Sequence, residues 1–219
     1  MSVKSLTYKC GKRISWGVIA LFLSPFAWSH PHSFISLQTT PVVDQQRLTG
    51  LQMIWTMDEI TSADLLYDAG NAAPDSPVWK KLAAEVMANV LAQHYFTEFR
   101  HQGKAVKFTN LPPAYQLSRN GAKAVLTFIL PLAQPQPLTG QTYTFSTFDP
   151  TYYVDMTWPD EQALSLPDEL KEKCRLSLHT PQPDAALKDF ALSLDKADAP
   201  PEDMDLGRQF AQTVTLVCQ

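Results

Sequence analysis

Residues His30-Pro31-His32 set two imidazoles one residue apart, and imidazole is a good ligand for first-row divalent metals. Just upstream, Ala27-Trp28-Ser29 has small residues at its first and last positions, the pattern a signal peptidase cuts. Cleavage after Ser29 makes His30 the first residue of the mature chain. Its free amine and its ring then offer two nitrogens to one ion, and His32 offers a third. A solvated histidine tail is the plainer reading of the same residues. Carboxylates stand further along, in Asp58-Glu59 and in Asp149-Pro150-Thr151-Tyr152-Tyr153. Imidazole mixed with carboxylate suits zinc. Here too a structural reading exists: Asp58 or Glu59 as the cap of a following helix, Asp149 as the start of a polar turn.

Pro31 limits the copper and nickel chemistry available. It has no amide hydrogen, so a square-planar site built on deprotonated amides with histidine third cannot form. A copper brace made by the His30 amine, its ring and His32 avoids that obstacle and is one rival to zinc. The other rival is a non-metal interaction module of an envelope transport complex, with the histidines incidental. The remaining histidines are weaker. His94 follows Val86 and Val90 on a helix face and is expected in the core; His101 lies beside a turn and is expected to be solvated. His179 points away from Leu176 and Leu178 and is expected to be exposed. The chain has no paired CxxC, no HExxH, no glycine-rich phosphate loop and no nucleophile elbow, so it is not read as an enzyme.

These residues need elements to position them. Phe34–Val43, rich in β-branched and aromatic residues, and Arg47–Met57, which alternates, are expected as strands around Asp44-Gln45-Gln46. Pairing Val43 with Arg47 across that three-residue turn sets His32 opposite Asp58, and a bulge near Gly50 would bring in Glu59 instead. Residues 59–67 suit a short helix. Ser76-Pro77 opens a long one, with Trp79, Leu82, Ala83, Val86, Val90 and Leu91 on its apolar face. Beyond Phe96 the pattern is of strands, with turns at Gln102-Gly103 and Asn120-Gly121 and a proline-rich break at Pro131–Pro137. Residues 142–147, 152–157, 174–179 and 210–218 follow as strands, and 184–195 is ambiguous. The expected fold is α+β: mainly antiparallel sheet of sandwich type, with one long helix inserted after the first hairpin.

Lys4, Lys9, Lys12 and Arg13, followed by the apolar run Ile14–Phe26, complete the signal pattern of residues 1–29. The run is short for a membrane span, which takes about 20 apolar residues. Residues 30–219 are expected as one domain, with 131–137 the place for a subdomain break. Without the signal, 14 Lys and Arg face 22 Asp and Glu, a formal charge of −8. That balance argues against nucleic acid and favours cations. Cys10 would leave with the signal, and Cys174 and Cys218, both flanked by strand-like residues, are expected to form a disulfide in an oxidising compartment. Free thiols or a thiolate metal pair are the alternatives.

HPHSFI at 30–35, IWTMDEITSADLL at 54–66 and FDPTYYVDM at 148–156 together resemble the periplasmic domain-of-unknown-function family numbered 1007, which includes ZevA-like zinc-uptake accessory proteins. The resemblance implies metal handling in the periplasm of a Gram-negative bacterium. It also implies an inner-membrane permease resembling nickel/cobalt transporters as partner, and zinc as cargo, with copper or nickel as the other choices. Carried over by position, the family motifs fall on His30, His32, Asp58, Glu59, Asp149 and Tyr152. Met57 departs from the pattern, standing where many relatives have an aromatic residue, a difference of packing and not of ligation.

Overall fold

Alternation from Ser33 onward builds a hairpin, β1 (Ser33–Asp44) and β2 (Arg47–Met57). Leu51, Met53, Trp55 and Met57 turn to one face and are at most 6% exposed, as expected for a strand with one buried side. The structure, a computed structural model, describes residues 31–194 and 204–219. Residues 1–30, on which the expected signal segment and His30 fall, lie outside the described residues.

Two helices follow the hairpin, α1 (Glu59–Ala69) and α2 (Pro77–Ala92). The second is the long helix expected from Ser76-Pro77, and it buries Trp79, Leu82, Ala83, Met87 and Val90. The chain then runs through β3 (Thr97–His101), β4 (Lys104–Ala105), β5 (Tyr115–Asn120), β6 (Lys123–Pro137), β7 (Thr142–Thr147) and β8 (Val154–Thr157). Last come β9 (Cys174–His179), α3 (Ala185–Ser193), α4 (Leu206–Phe210) and β10 (Thr213–Cys218). The strands form two five-stranded sheets, ordered β5-β6-β2-β1-β8 and β4-β3-β7-β10-β9. Every pairing is antiparallel except β1 with β8, which is parallel. One hydrophobic cluster takes side chains from both sheets and from α2, with Trp55 edge-on to Phe128 at 5.0 Å and Phe145 edge-on to Trp158 at 5.9 Å. This is the α+β, mainly antiparallel, sandwich-like fold that the alternation predicts.

Three local expectations need correction, and one ambiguity is resolved. The first turn has two residues, not three: Asp44 pairs with Arg47, and Gln45 and Gln46 both take positive φ, the hairpin geometry that matches strand twist. Pro131–Pro137 is not a break. It is the end of β6, which leaves β2 between the Gly50–Pro131 and Leu48–Gln136 pairs, while Ala133 donates to the Lys107 carbonyl. Gly50 is required at that crossing, since a Cβ there would stand 2.5 Å from the Leu130 carbonyl oxygen. The ambiguous 184–195 segment is largely helix, α3, capped by Asp184 through the Leu187 amide. His94 is exposed: the backbone turns left-handed from His94 to Phe96, so that Tyr95 enters the core instead.

A cross-strand disulfide joins Cys174 to Cys218, directly paired on β9 and β10. The buried Gln212 fastens the sheets elsewhere. It accepts from the Trp158 amide at 2.7 Å and donates to the Trp158 carbonyl at 3.1 Å. Among the described residues no helix is long and apolar enough to cross a membrane.

Candidate metal-binding edge of the first sheet

His32 enters the fold through the parallel pair. Its amide donates to the Tyr153 carbonyl at 2.9 Å, and its ring lies 4.9 Å from the Tyr153 ring. One step on, Phe34 pairs with Asp155. Residues directly paired share a sheet face, as do residues two apart along a strand. His32, Phe34, Tyr153 and Asp155 therefore stand together on the face of the first sheet opposite the buried Ile35 and Met156.

The shorter turn and a bulge between Leu48 and Gly50 move β2 two places along β1 from the expected register. Ile35 pairs with Met57, and Asp58 meets Phe34, not His32. A shift of two preserves the face, so Asp58 is a diagonal neighbour of His32. Its oxygens are engaged otherwise. Oδ1 accepts from the Thr61 amide at 2.7 Å; Oδ2 accepts from the Phe34 amide at 2.6 Å and the Thr61 hydroxyl at 2.9 Å. Burial raises the Asp58 carboxyl, but the Thr61 and Phe34 amides outweigh it and hold it below the usual carboxylate range. Asp58 is the N-cap of α1, the structural role weighed for it from sequence. Glu59 is exposed in the first turn of that helix.

Asp149 is likewise committed to its loop. It is 7% exposed, and its carboxylate accepts from the Thr151 amide and hydroxyl and from the Val154 amide at 2.9–3.1 Å. These bonds shape the turn that delivers Tyr152, Tyr153 and β8. Tyr152 sits at φ 59°, stacked on Phe210 of α4 at 4.1 Å. Gly207 makes that contact feasible: its amide donates to the Pro150 carbonyl at 3.0 Å, and a Cβ there would overlap the Asp149 carbonyl oxygen. Burial, aided by the Asp155 carboxylate, pushes the Tyr152 hydroxyl up to about 12.

Asp155 is the residue that sequence reading misses. It is half-buried, burial raises its carboxyl above the ordinary range, and among the described residues its side chain has no hydrogen-bond or ion-pair partner. Its place on the face of His32 follows from the parallel pairing, for which the sequence carries no local signal. Alternation in Tyr153-Val154-Asp155-Met156 does show that Tyr153 and Asp155 share a face opposite Met156.

The other histidines stand apart. His101 is half-buried and not fully solvated, 2.8 Å from the Gln141 side-chain oxygen and 4.7 Å from the Tyr143 ring, and His179 is exposed as expected. Among the described residues no group of three or more His, Cys, Asp or Glu side chains is close enough to hold a metal ion. His32 and Asp155 share one face at the sheet edge, and His30 lies outside the described residues. A groove of about 640 Å³ lies elsewhere, beside α2 and β5, where the Gln116 amide donates to Asp75 at 2.6 Å.

Comparison with known proteins gives a family. The profile described as "Protein of unknown function (DUF1007)" matches residues 16–218. A protein of Haemophilus influenzae, described as "Uncharacterized protein", is 36% identical over 203 residues, covering 92% of this chain and 97% of that protein. No solved structure matches.

Proposed function

The chain belongs to the DUF1007 family of proteins of unknown function, and on that premise we propose that it is an exported protein that binds a divalent metal ion, zinc in the first place, for hand-over to an inner-membrane permease. The metal is cargo. The observation that carries the reading is the half-buried Asp155 carboxyl, set without a partner among the described residues on the sheet face of His32. Keeping a carboxylate poorly solvated costs stability unless a cation relieves it. Imidazole with carboxylate suits zinc. His30, as first residue after cleavage at Ser29, adds an amine and a ring. Asp58 and Asp149 then act as positioning residues, one fixing the start of α1 against β1, the other shaping the loop that presents Tyr152 and Tyr153. The family resemblance adds the periplasm and the permease, and the cysteine disulfide and the acidic mature charge are in keeping with both.

Calorimetric titration of the exported chain with Zn(II) and Cu(II) tests this. His32→Ala is expected to weaken Zn(II) binding at least tenfold, about 1.4 kcal/mol, while His179→Ala leaves it unchanged. Affinity falls as pH drops through about 6.5, because a ligating imidazole must be neutral. Undiminished binding by His32→Ala overturns the site. Tight binding of Cu(II) alone, lost when the His30 amine is blocked, replaces zinc by the copper brace.

A further inference from the structure

We propose that the outer face of α1 is a docking surface for a basic, apolar segment of another protein. This goes beyond metal binding and does not rest on it. The inner side of α1 buries Ser62 and Ala69, with Leu65 and Leu66 half-buried. Ile60 and Tyr67 are on the opposite side, each 85% exposed. Seven residues apart, they lie almost in line two turns along the helix, with exposed Ala63 between them. Phe34, 52% exposed, is bonded through its amide to the helix cap Asp58 and adds a further exposed aromatic at that end. Single exposed apolar residues are ordinary, but an aligned set with a charged border is the form of an interaction site.

The border identifies the occupant. Exposed Asp64 and Asp68 lie along one side of the stripe and Glu59 along the other, and α1 contains no Lys, Arg or His. Arg119 reaches this helix, but its guanidinium donates to the Leu66 and Gly70 carbonyls at the C-terminal end. An anionic lipid surface would be repelled by these acids. Two copies meeting through the same face would set each acid against its own copy. A protein segment that carries Lys or Arg around apolar side chains satisfies both the stripe and its border.

Site-specific photo-cross-linking tests the surface. A cross-linking residue replaces Ile60, Tyr67 or, as control, exposed Glu172 in the full-length chain, expressed and exported in its own host. Positions 60 and 67 are expected to capture the same protein, with the adduct mapped to a segment in which Lys or Arg flank apolar residues. Asp64→Asn with Asp68→Asn is expected to cut the yield at least fivefold without lowering the melting temperature. A lipid adduct, a second copy of this chain, an acidic segment, no adduct, or a yield indifferent to the Asn substitutions overturns the proposal. Zinc affinity measured on the same variants separates its failure from failure of the metal reading.

Discussion

Asp155 and His32 face the same side of one sheet edge, and their surroundings set different tests for them. Burial raises the Asp155 carboxyl, so the folded chain holds that proton more tightly than the unfolded chain, whose carboxyl titrates near about 3.9. The charge therefore costs stability at neutral pH, and the cost disappears below the unfolded value, where both states are protonated. Asp155→Asn is expected to raise the melting temperature at pH 7 by roughly 1–3 °C, to leave it unchanged near pH 3, and to weaken Zn(II) binding at least tenfold. Thermal unfolding at both pH values, with calorimetry, checks this. A carboxylate that serves only the fold would lose stability on the same change. Of the expected ligands, Asp58 is readable as a helix cap, with Glu59 the alternative, and Asp149 as the start of a polar turn. Asp155 is legible only as one of two alternating residues, because what brings it onto the face of His32 is a pairing between distant segments.

Among the elements, α4 governs the loop that carries Tyr152 and leads into β8. It approaches so closely that Gly207 has room for hydrogen alone against the Asp149 carbonyl, while Phe210 stacks on Tyr152. Arg208, over the Phe148 ring at 4.9 Å, bonds Glu98 of β3 at 2.5 and 2.8 Å and holds that carboxyl at about 2. Gly207→Ala is expected to destabilise by at least about 2 kcal/mol, seen in chemical denaturation. Because the Asp149 loop must shift, Zn(II) affinity should fall as well, although residue 207 carries no ligand. The hairpins and the long helix were legible from alternation and the Ser76-Pro77 start, since those signals are local. The turn length, the bulge at Leu48–Gly50 and the course of Pro131–Pro137 were not. Each depends on what a neighbouring strand offers: a Gln-Gln pair accepts positive φ in a hairpin, and Pro131 and Pro137 flank the stretch, containing Pro135, where β6 leaves β2.

For the whole molecule, the disulfide closes the second sheet at its β9–β10 edge. Cys174 and Cys218 are 3% and 4% exposed, 44 residues apart. Replacing both by Ser is expected to lower stability by about 2–4 kcal/mol, measured by denaturation of the exported chain. Intact-mass analysis of that chain tests the proposed processing in the same sample: a start at His30 and a loss of two hydrogens for the bonded pair. A start elsewhere removes the His30 amine from the metal reading.

The β1–β8 pair also sets an order of events during folding. The β1–β2 turn closes locally, on a timescale of microseconds, whereas the Ser33–Val154 pair joins segments far apart in the chain. Parallel pairings between distant segments form slowly. On the proposed export, a chain emerging on the far side of a membrane displays His32 well before Asp155 can join it. On the metal reading, an early ion finds only the N-terminal nitrogens, which hold it loosely. Tight loading waits for β8, so that occupancy of the site reports that β8 has docked on β1.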